Sequence, residues 1–256
     1  MRAFKITIAY DGGPFVGWQR QAEGTSVQGL LEEALSVLDG GRAVSVAGAG
    51  RTDAGVHALG QVATFTLSRD LERDVIVRAL NARLPPEVRV VRAEDAPEGF
   101  HARFDARAKI YRYRIWNGDV VCPFERGYVW HLPGSLAIDP MQRAARTLEG
   151  RHDFAAFQTA GGSPGPTERT IFSSTIAASP HGGSHDGGCL VTYDIRGDGF
   201  LRHMVRAIVG SLVEIGRGRR GVEWMAEIMA SRERAAAGRT APPHGLFLVG
   251  VEYDLR

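Results

Sequence analysis

The hydrophobic pattern of this 256-residue chain implies the same order of elements twice: strand, helix, strand, strand, helix, strand. Apolar residues with a period of two predict strands, and apolar stripes with a period near 3.6 predict helices. Two β-α-β-β-α-β units, as in ferredoxin-like and RRM-like folds, imply an α+β protein with mainly antiparallel sheets flanked by helices. We therefore predict two halves, residues 1–105 and 106–256.

In the first half, Thr25 and Gln28 resemble a capping box at the start of a helix that Gly40 and Gly41 end. The strands are predicted around 4–8 and at 43–47, 61–67 and 88–91, and the helices at 27–38 and 70–82. In the second half, the strands are predicted at 110–116, 170–178, 189–195 and 246–253, and the helices at 139–150, 200–215 and 222–229.

Composition excludes several classes of protein. With 44% hydrophobic and 23% charged residues the chain is typical of globular proteins, and no apolar run approaches the roughly 20 residues of a membrane span. The N-terminus alternates like a strand and does not resemble a signal peptide, so we expect a cytoplasmic protein.

Cys122 and Cys189 are far apart, which predicts neither a disulfide framework nor a zinc site. His181 and His185 are four residues apart, but the glycines between them argue against a helical metal site.

The basic residues are divided very unevenly between lysine and arginine. Lys5 and Lys109 are lysines, and the other 29 of the 31 are arginines. Arginine suits phosphate because its planar fork can form two hydrogen bonds at once. A biased genomic base composition produces the same skew, so arginine content alone does not identify a partner.

Residues 48–60 contain four glycines between two predicted strands, together with Arg51, Asp53 and His57. So many glycines indicate a backbone that turns sharply and approaches another group closely. The segment lacks the glycine pattern of a dinucleotide site and the Gly-Lys-Ser/Thr of a P-loop. Two interpretations of Asp53 remain open: an Asx turn that bonds its own backbone, or a nucleophile or general base kept ionised by a nearby arginine.

The predicted strand 110–116 alternates aromatic and arginine residues. One face carries Tyr111, Tyr113 and Ile115, and the other carries Arg112, Arg114 and Trp116. Rings that stack on unpaired bases and guanidinium groups that bind phosphates would suit a nucleic-acid surface. A sheet with core tyrosines and solvated arginines fits equally well.

The apolar segment 200–210 carries Arg202 and Arg206 four residues apart, and as one helix it would place both on the same face. A buried arginine without a partner is costly, which predicts a carboxylate close to Arg206. The alternative is an arginine whose guanidinium reaches the surface.

Segments along most of the chain share the residues of one known family. They are Tyr10 to Gly12, Gly17 to Gln21, Ala49 to His57, Asn81 to Pro85, Phe100 to Phe104, Tyr111 to Tyr113, His152 to Phe154, Phe200 to Gly210 and Ala241 to Val251. With these motifs the chain resembles the TruA-type tRNA pseudouridine synthases. It departs from the family at Gly13, where serine or threonine is common, and in the loops 158–168 and 179–188.

The resemblance implies the pseudouridine synthase fold and isomerisation of uridine to pseudouridine at positions 38–40 of the tRNA anticodon stem-loop. It also implies a homodimer that needs neither metal nor cofactor. The catalytic aspartate of the family falls on Asp53 and its base-stacking tyrosine on Tyr111. Arg206 would pair with the aspartate, and Arg51 would help to hold the nucleotide out of its stack.

Two alternatives stay open at this point. A non-catalytic tRNA-binding or RNA-chaperone protein could use the same basic and aromatic surface, and a small-molecule hydrolase could use Asp53 without RNA. Detection of pseudouridine in tRNA incubated with the purified protein distinguishes the enzyme from both.

Overall fold

The computed structural model describes residues 1–161, 165–180 and 188–254. The chain divides into two compact units, one formed by residues 1–107 with the C-terminal residues from 247, and the other by residues 108–246. Both units combine helices with mainly antiparallel strands, so the predicted α+β class is confirmed.

The elements are labelled in chain order. The strands are β1 (Arg2–Tyr10), β2 (Ala47–Gly48), β3 (His57–Leu67), β4 (Val88–Asp95), β5 (Ala106–Asn117), β6 (Trp130–Leu132), β7 (Gly150–Asp153), β8 (Glu168–Pro180), β9 (Cys189–Gly197) and β10 (Leu246–Tyr253). The helices are α1 (Val27–Leu38), α2 (Arg73–Asn81), α3 (Ile138–Arg146), α4 (Met204–Gly216) and α5 (Trp224–Ser231).

The sheet of the first unit is centred on β1 and β3. β1 pairs antiparallel with β3 on one side and with β4 on the other, and β10 pairs parallel with β3. Alternate residues of β1 are buried, as the period of two predicts. The core consists of apolar side chains from this face of the sheet and from the inner stripes of α1 and α2. It includes Phe4, Ile6, Ile8, Leu31, Leu35, Phe65, Leu67, Ile76 and Leu80.

The C-terminal strand belongs to the first unit, whereas the sequence pattern places it in the second half. Phe247 and Leu248 pair with His57 and Ala58 at the start of β3. Further along β10, Tyr253 packs against a small buried cluster of the first unit. The pattern of apolar residues identifies β10 as a strand, but it contains no information about which strand is its neighbour.

The predicted strand 43–47 is largely unpaired, although Val44 and Val46 are buried as its alternation implies. Only β2, at its end, pairs with β3. The backbone of Val46 is bonded instead by side chains of α1. Gln28 Nε2 donates to the Val46 carbonyl (2.9 Å), and Val46 N donates to Glu32 Oε1 (3.3 Å).

Helix α1 is capped by Ser26, and the predicted capping box of Thr25 and Gln28 is wrong. Ser26 Oγ accepts a hydrogen bond from Gly29 N at 3.2 Å. The Thr25 carbonyl accepts one from Val16 N, which ties the chain before the helix to the preceding loop. The Gln28 side chain turns away from the helix start, toward Val46.

The sheet of the second unit is built on β5, β9 and β8, which pair antiparallel in that order. β7 extends it next to β8, and β6 pairs parallel with the end of β5. Neither of these two short strands is predicted from the sequence. Helix α3 packs against β8 and α4.

Helix α4 begins at Met204, four residues after its predicted start. His203 has a φ of 62°, in the left-handed region, which prevents the helix from extending further toward the N-terminus. Arg202 therefore precedes the helix, and the expectation that Arg202 and Arg206 share a helical face is wrong.

Replacement of Ser26 by alanine tests the observed cap. We expect Ser26→Ala to lower the free energy of unfolding by about 1 kcal/mol, because Gly29 N loses its acceptor. Thr25→Ala is the matched control and should change stability by less than about 0.5 kcal/mol. Urea denaturation followed by circular dichroism measures both, and a larger loss for Thr25→Ala would contradict the assignment.

Candidate active site

Residues 49–56, here called the aspartate loop, connect β2 to β3 and carry Asp53. Their backbone is bonded to the segment that follows β1. Thr52 O accepts a hydrogen bond from Trp18 N (3.0 Å), and Asp53 forms an antiparallel bridge with Gly17. Val56 N donates to the backbone carbonyl of Asp53 (3.1 Å), which closes the turn after Asp53 through the backbone.

Buried side chains fix the first half of this loop. The hydroxyl groups of Tyr10 and Thr52 form a hydrogen bond of 2.8 Å, and Gln61 Nε2 donates to the Gly50 carbonyl at 2.8 Å. All three side chains are buried. Burial raises the pKa of Tyr10 to about 12, so this phenol stays protonated at neutral pH. The bond between Tyr10 and Thr52 is buried, and the bond between Gln61 and Gly50 is partly buried.

Glycines allow the aspartate loop to pack closely against the segment that follows β1. A Cβ on Gly12 would lie 2.0 Å from the Val56 carbonyl oxygen. Gly17 has a φ of +109°, and its Cβ would lie 2.6 Å from the Thr52 carbonyl oxygen. A side chain at either position would displace the aspartate loop. The sequence predicts close approach at the glycines of residues 48–60, but not at these two, which lie on the opposing segment.

The three polar residues of the glycine-rich segment have different environments. Asp53 is half-buried, and Arg51 is exposed and donates from Nε to Gln19 Oε1 at 2.9 Å. His57 is buried and its ring stacks on Phe247 with centroids 4.7 Å apart, while Nδ1 lies 3.0 Å from Gly12 N. His57 thus supports the fold around the loop.

Tyr111 lies in the second unit, on β5 opposite Ile195. Its side chain is 7% exposed, and its ring meets Phe200 edge to face with centroids 5.0 Å apart. Tyr113 is fully buried and donates from its hydroxyl to the Pro242 carbonyl at 2.8 Å. The two tyrosines of this face are therefore enclosed to different degrees, with Tyr111 the less deeply placed.

The arginines of β5 are paired with carboxylates. Arg112 forms two hydrogen bonds with Asp194, at 2.7 and 2.9 Å, and Arg114 bonds Glu125 at 2.8 Å. The pairing with Asp194 raises the pKa of Arg112. Because acids match these charges, the arginines of this strand form surface ion pairs, which argues against a strand surface built for phosphates.

Arg206 is half-buried on the first turn of α4. Within its unit, Nε donates to the Ala241 carbonyl at 2.7 Å, and Ala241 N donates to the Arg206 carbonyl at 3.0 Å. Burial lowers the pKa of His244, and the positive charge of Arg206 lowers it further, while a hydrogen bond with the Val129 backbone opposes the shift. The guanidinium thus lies beside the segment just before β10.

Arg234 holds that segment in place, and nothing in the sequence distinguishes it from the other arginines. Its Nη1 donates to the Gly238 carbonyl (3.0 Å) and its Nη2 to Thr240 Oγ1 (2.8 Å). Gly238 N in turn donates to Ser211 Oγ on α4 (2.9 Å). Arg234 therefore positions the backbone that contacts Arg206.

The sequence-predicted site residues are shared between the units: Arg51 and Asp53 lie in the first, Tyr111 and Arg206 in the second. Across the described ranges 1–161, 165–180 and 188–254, no three His, Cys, Asp or Glu side chains are grouped as metal ligands. His181 and His185 lie outside these ranges. Among the helices of the described part of the chain, none is long and apolar enough to cross a membrane.

Comparison with known proteins gives extensive matches. The sequence model of a family described as tRNA pseudouridine synthase matches residues 6–105 and 144–254, which include Arg51, Asp53 and Arg206 but not Tyr111. A relative named tRNA pseudouridine synthase A from Solibacter usitatus is 46% identical over 99% of this chain and 100% of its own. Relatives with the same name from Myxococcus xanthus and Methylacidiphilum infernorum are 45% and 43% identical, over 99% and 98% of this chain and 92% and 95% of their own.

These matches define the class of protein as an RNA-modifying isomerase. The chain belongs to the tRNA pseudouridine synthase family. It isomerises uridine to pseudouridine in tRNA, so the resemblance found in its motifs is confirmed. Membership of an enzyme family also speaks against the alternative of a non-catalytic RNA-binding protein.

The buried contact between Tyr10 and Thr52 can be tested by removing one hydroxyl. We expect Tyr10→Phe to lower stability by about 1–3 kcal/mol, because the Thr52 hydroxyl loses its partner. A loosened aspartate loop should also lower kcat for pseudouridine formation about tenfold.

Tyr193→Phe is the matched control for this change, since Tyr193 is equally buried and its hydroxyl bonds that of Ser174 at 2.9 Å. It should lose similar stability without a change in kcat. Thermal denaturation and initial rates with a tRNA transcript measure the two quantities. Equal kcat losses in the two variants would contradict a specific role of the Tyr10 contact.

Proposed function

We propose that the enzyme modifies uridines at positions 38–40 of the tRNA anticodon stem-loop and that Asp53 starts the reaction. The observation that carries this proposal is the support of the aspartate loop. A half-buried carboxylate stands on a backbone held by Trp18, Gly17 and the buried Tyr10 and Thr52 hydroxyls. A catalytic group is more effective when its backbone is already in place before the substrate binds, and the contacts of this loop meet that condition.

The chemistry of the isomerisation requires few groups. The glycosidic bond between C1′ and N1 breaks, the uracil turns, and a bond forms between C1′ and C5. The proton on C5 is lost and N1 gains one, so no atom is added overall. Asp53 acts either as a nucleophile on the sugar or the base, or as a base that removes a sugar proton.

The remaining roles follow from where a reacting uridine must be held. A base stacked in RNA is out of reach and has to be flipped out, at a cost of a few kcal/mol. We assign Tyr111 to stack on the freed uracil and Arg51 to help hold the nucleotide out of the helix. Arg206 is assigned to pair with Asp53 and keep its carboxylate ionised.

Two further properties belong to the same proposal. The enzyme works as a homodimer, which light scattering at micromolar concentration tests. It acts in the cytoplasm, where cysteines stay reduced, and Cys122 and Cys189 are both free thiols.

Asp53→Asn tests the catalytic role, because the amide has nearly the same shape but is neither a nucleophile nor a base. We expect loss of pseudouridine formation by at least about 10⁴-fold with tRNA binding retained. Asp74→Asn, the same change on the exposed surface of α2, should leave activity within about twofold. Carbodiimide labelling of pseudouridine and sequencing of the anticodon arm give the readout. Appreciable turnover by Asp53→Asn would refute the role of Asp53, and modification elsewhere in the tRNA would refute the proposed positions.

Arg206→Lys tests whether the planar guanidinium is needed in addition to its charge. Lysine cannot donate from Nε to Ala241 and offer a second donor edge at the same time, so kcat should fall about 100-fold. Arg202→Lys is the matched control: Arg202 is exposed and donates to the Ala160 carbonyl. Its kcat should stay within about twofold of the parent enzyme. Full activity of Arg206→Lys would show that charge alone suffices there.

A further inference from the structure

An exposed cluster of His101, Arg103 and Phe104, here called the aromatic platform, lies outside the roles assigned above. The Phe104 side chain is 75% exposed. The ring of His101 lies beside it, with centroids 4.4 Å apart and planes tilted by 36°, and Arg103 Cζ is 5.7 Å from the Phe104 ring centroid. A large aromatic side chain is thus held near the solvent next to a cation.

The backbone beneath the platform is ordered by its own hydrogen bonds. His101 N donates to Asp105 Oδ2 (2.8 Å), and Asp105 N donates back to the His101 carbonyl (3.1 Å). Arg103 N donates to His101 Nδ1 at 3.0 Å, which fixes the imidazole ring. The orientation of the platform therefore does not depend on burial of the Phe104 ring.

The platform is anchored beside the aspartate loop. Ala102 is fully buried in a cluster with Ala49, the first residue of that loop, and the Ala102 carbonyl accepts a hydrogen bond from Tyr253 at 2.7 Å. Asp53 follows Ala49 by four residues, a reach of at most about 14 Å. Both groups belong to the first unit. Phe104 follows Ala102 by two residues, so the contact between Ala102 and Ala49 connects the platform to the aspartate loop within one unit.

We propose that the aromatic platform binds an unpaired base of the tRNA next to the target uridine. The base would stack on Phe104, and Arg103 would contact the adjoining phosphate. An exposed ring with an adjacent arginine is suited to this ligand, because every base has a π-face and the backbone is anionic. This inference rests on the proposed function of the aspartate loop, and it adds a binding site without base preference.

The test compares three variants with an unmodified tRNA transcript as ligand and substrate. Phe104→Leu keeps an apolar side chain without a π-face, and we expect tRNA binding about tenfold weaker, with KM raised and kcat within about twofold. Phe104→Tyr restores the ring and should bind like the parent enzyme. Phe124→Leu is the matched control, since Phe124 is 88% exposed in the second unit, and it should bind unchanged.

The phosphate contact has its own readout. Arg103→Gln should reduce the slope of log K against log salt concentration by about one, whereas Phe104→Leu should leave that slope unchanged. An unaltered slope for Arg103→Gln would overturn the assignment of Arg103.

Several results would overturn the platform itself. They are unchanged tRNA binding by Phe104→Leu, equal losses for Phe104→Leu and Phe104→Tyr, or a change of oligomeric state with RNA binding intact, which would indicate a protein contact. Binding is measured independently of turnover. Failure of the proposed function would appear as wild-type protein that binds tRNA but leaves uridines 38–40 unmodified.

Discussion

The position of Asp53 depends on Thr52, which is held from two directions. Its hydroxyl bonds Tyr10 and its carbonyl accepts the Trp18 amide, at 2.8 and 3.0 Å. All three residues are buried, so a lost partner would leave a polar group without water, at about 1–3 kcal/mol. That penalty keeps the loop in one conformation. The residues Tyr10 and Trp18, more than 30 positions before Asp53, therefore help to position it.

The order of elements could be predicted from the sequence because burial imposes a period on each strand and helix. The same pattern does not specify hydrogen-bond partners. Val46 alternates like a strand residue, but its backbone bonds the side chains of Gln28 and Glu32. The N-cap of α1 is Ser26 and not Thr25. The two residues are neighbours with the same kind of side-chain hydroxyl, so the sequence pattern does not distinguish them. The pairing of β10 with β3 could not be predicted from the pattern either, because it joins residues almost 200 positions apart.

In the candidate site, too, local features could be predicted from the sequence and distant partners could not. Asp53 is identifiable because a dense group of glycines is unusual and has a local cause. The charge pattern of β5 is ambiguous, because the acid that pairs with Arg112 lies 82 residues away. Arg234 has no local signal at all. Its role depends on how the segment around Gly238 packs against Ser211 of α4, which the residues next to Arg234 do not indicate.

Arg206 illustrates how the second unit orients a charged group through backbone bonds. Its Nε bonds the Ala241 carbonyl, and the neighbouring backbone is fixed by Tyr113 at Pro242 and by Arg234 at Gly238. A planar guanidinium bonded at Nε loses much of its rotational freedom, so its other donors keep a defined direction. The entropy of ordering this side chain is thus lost during folding and not when RNA binds. The same reasoning applies to the aspartate loop, where buried bonds order Asp53 before the substrate arrives.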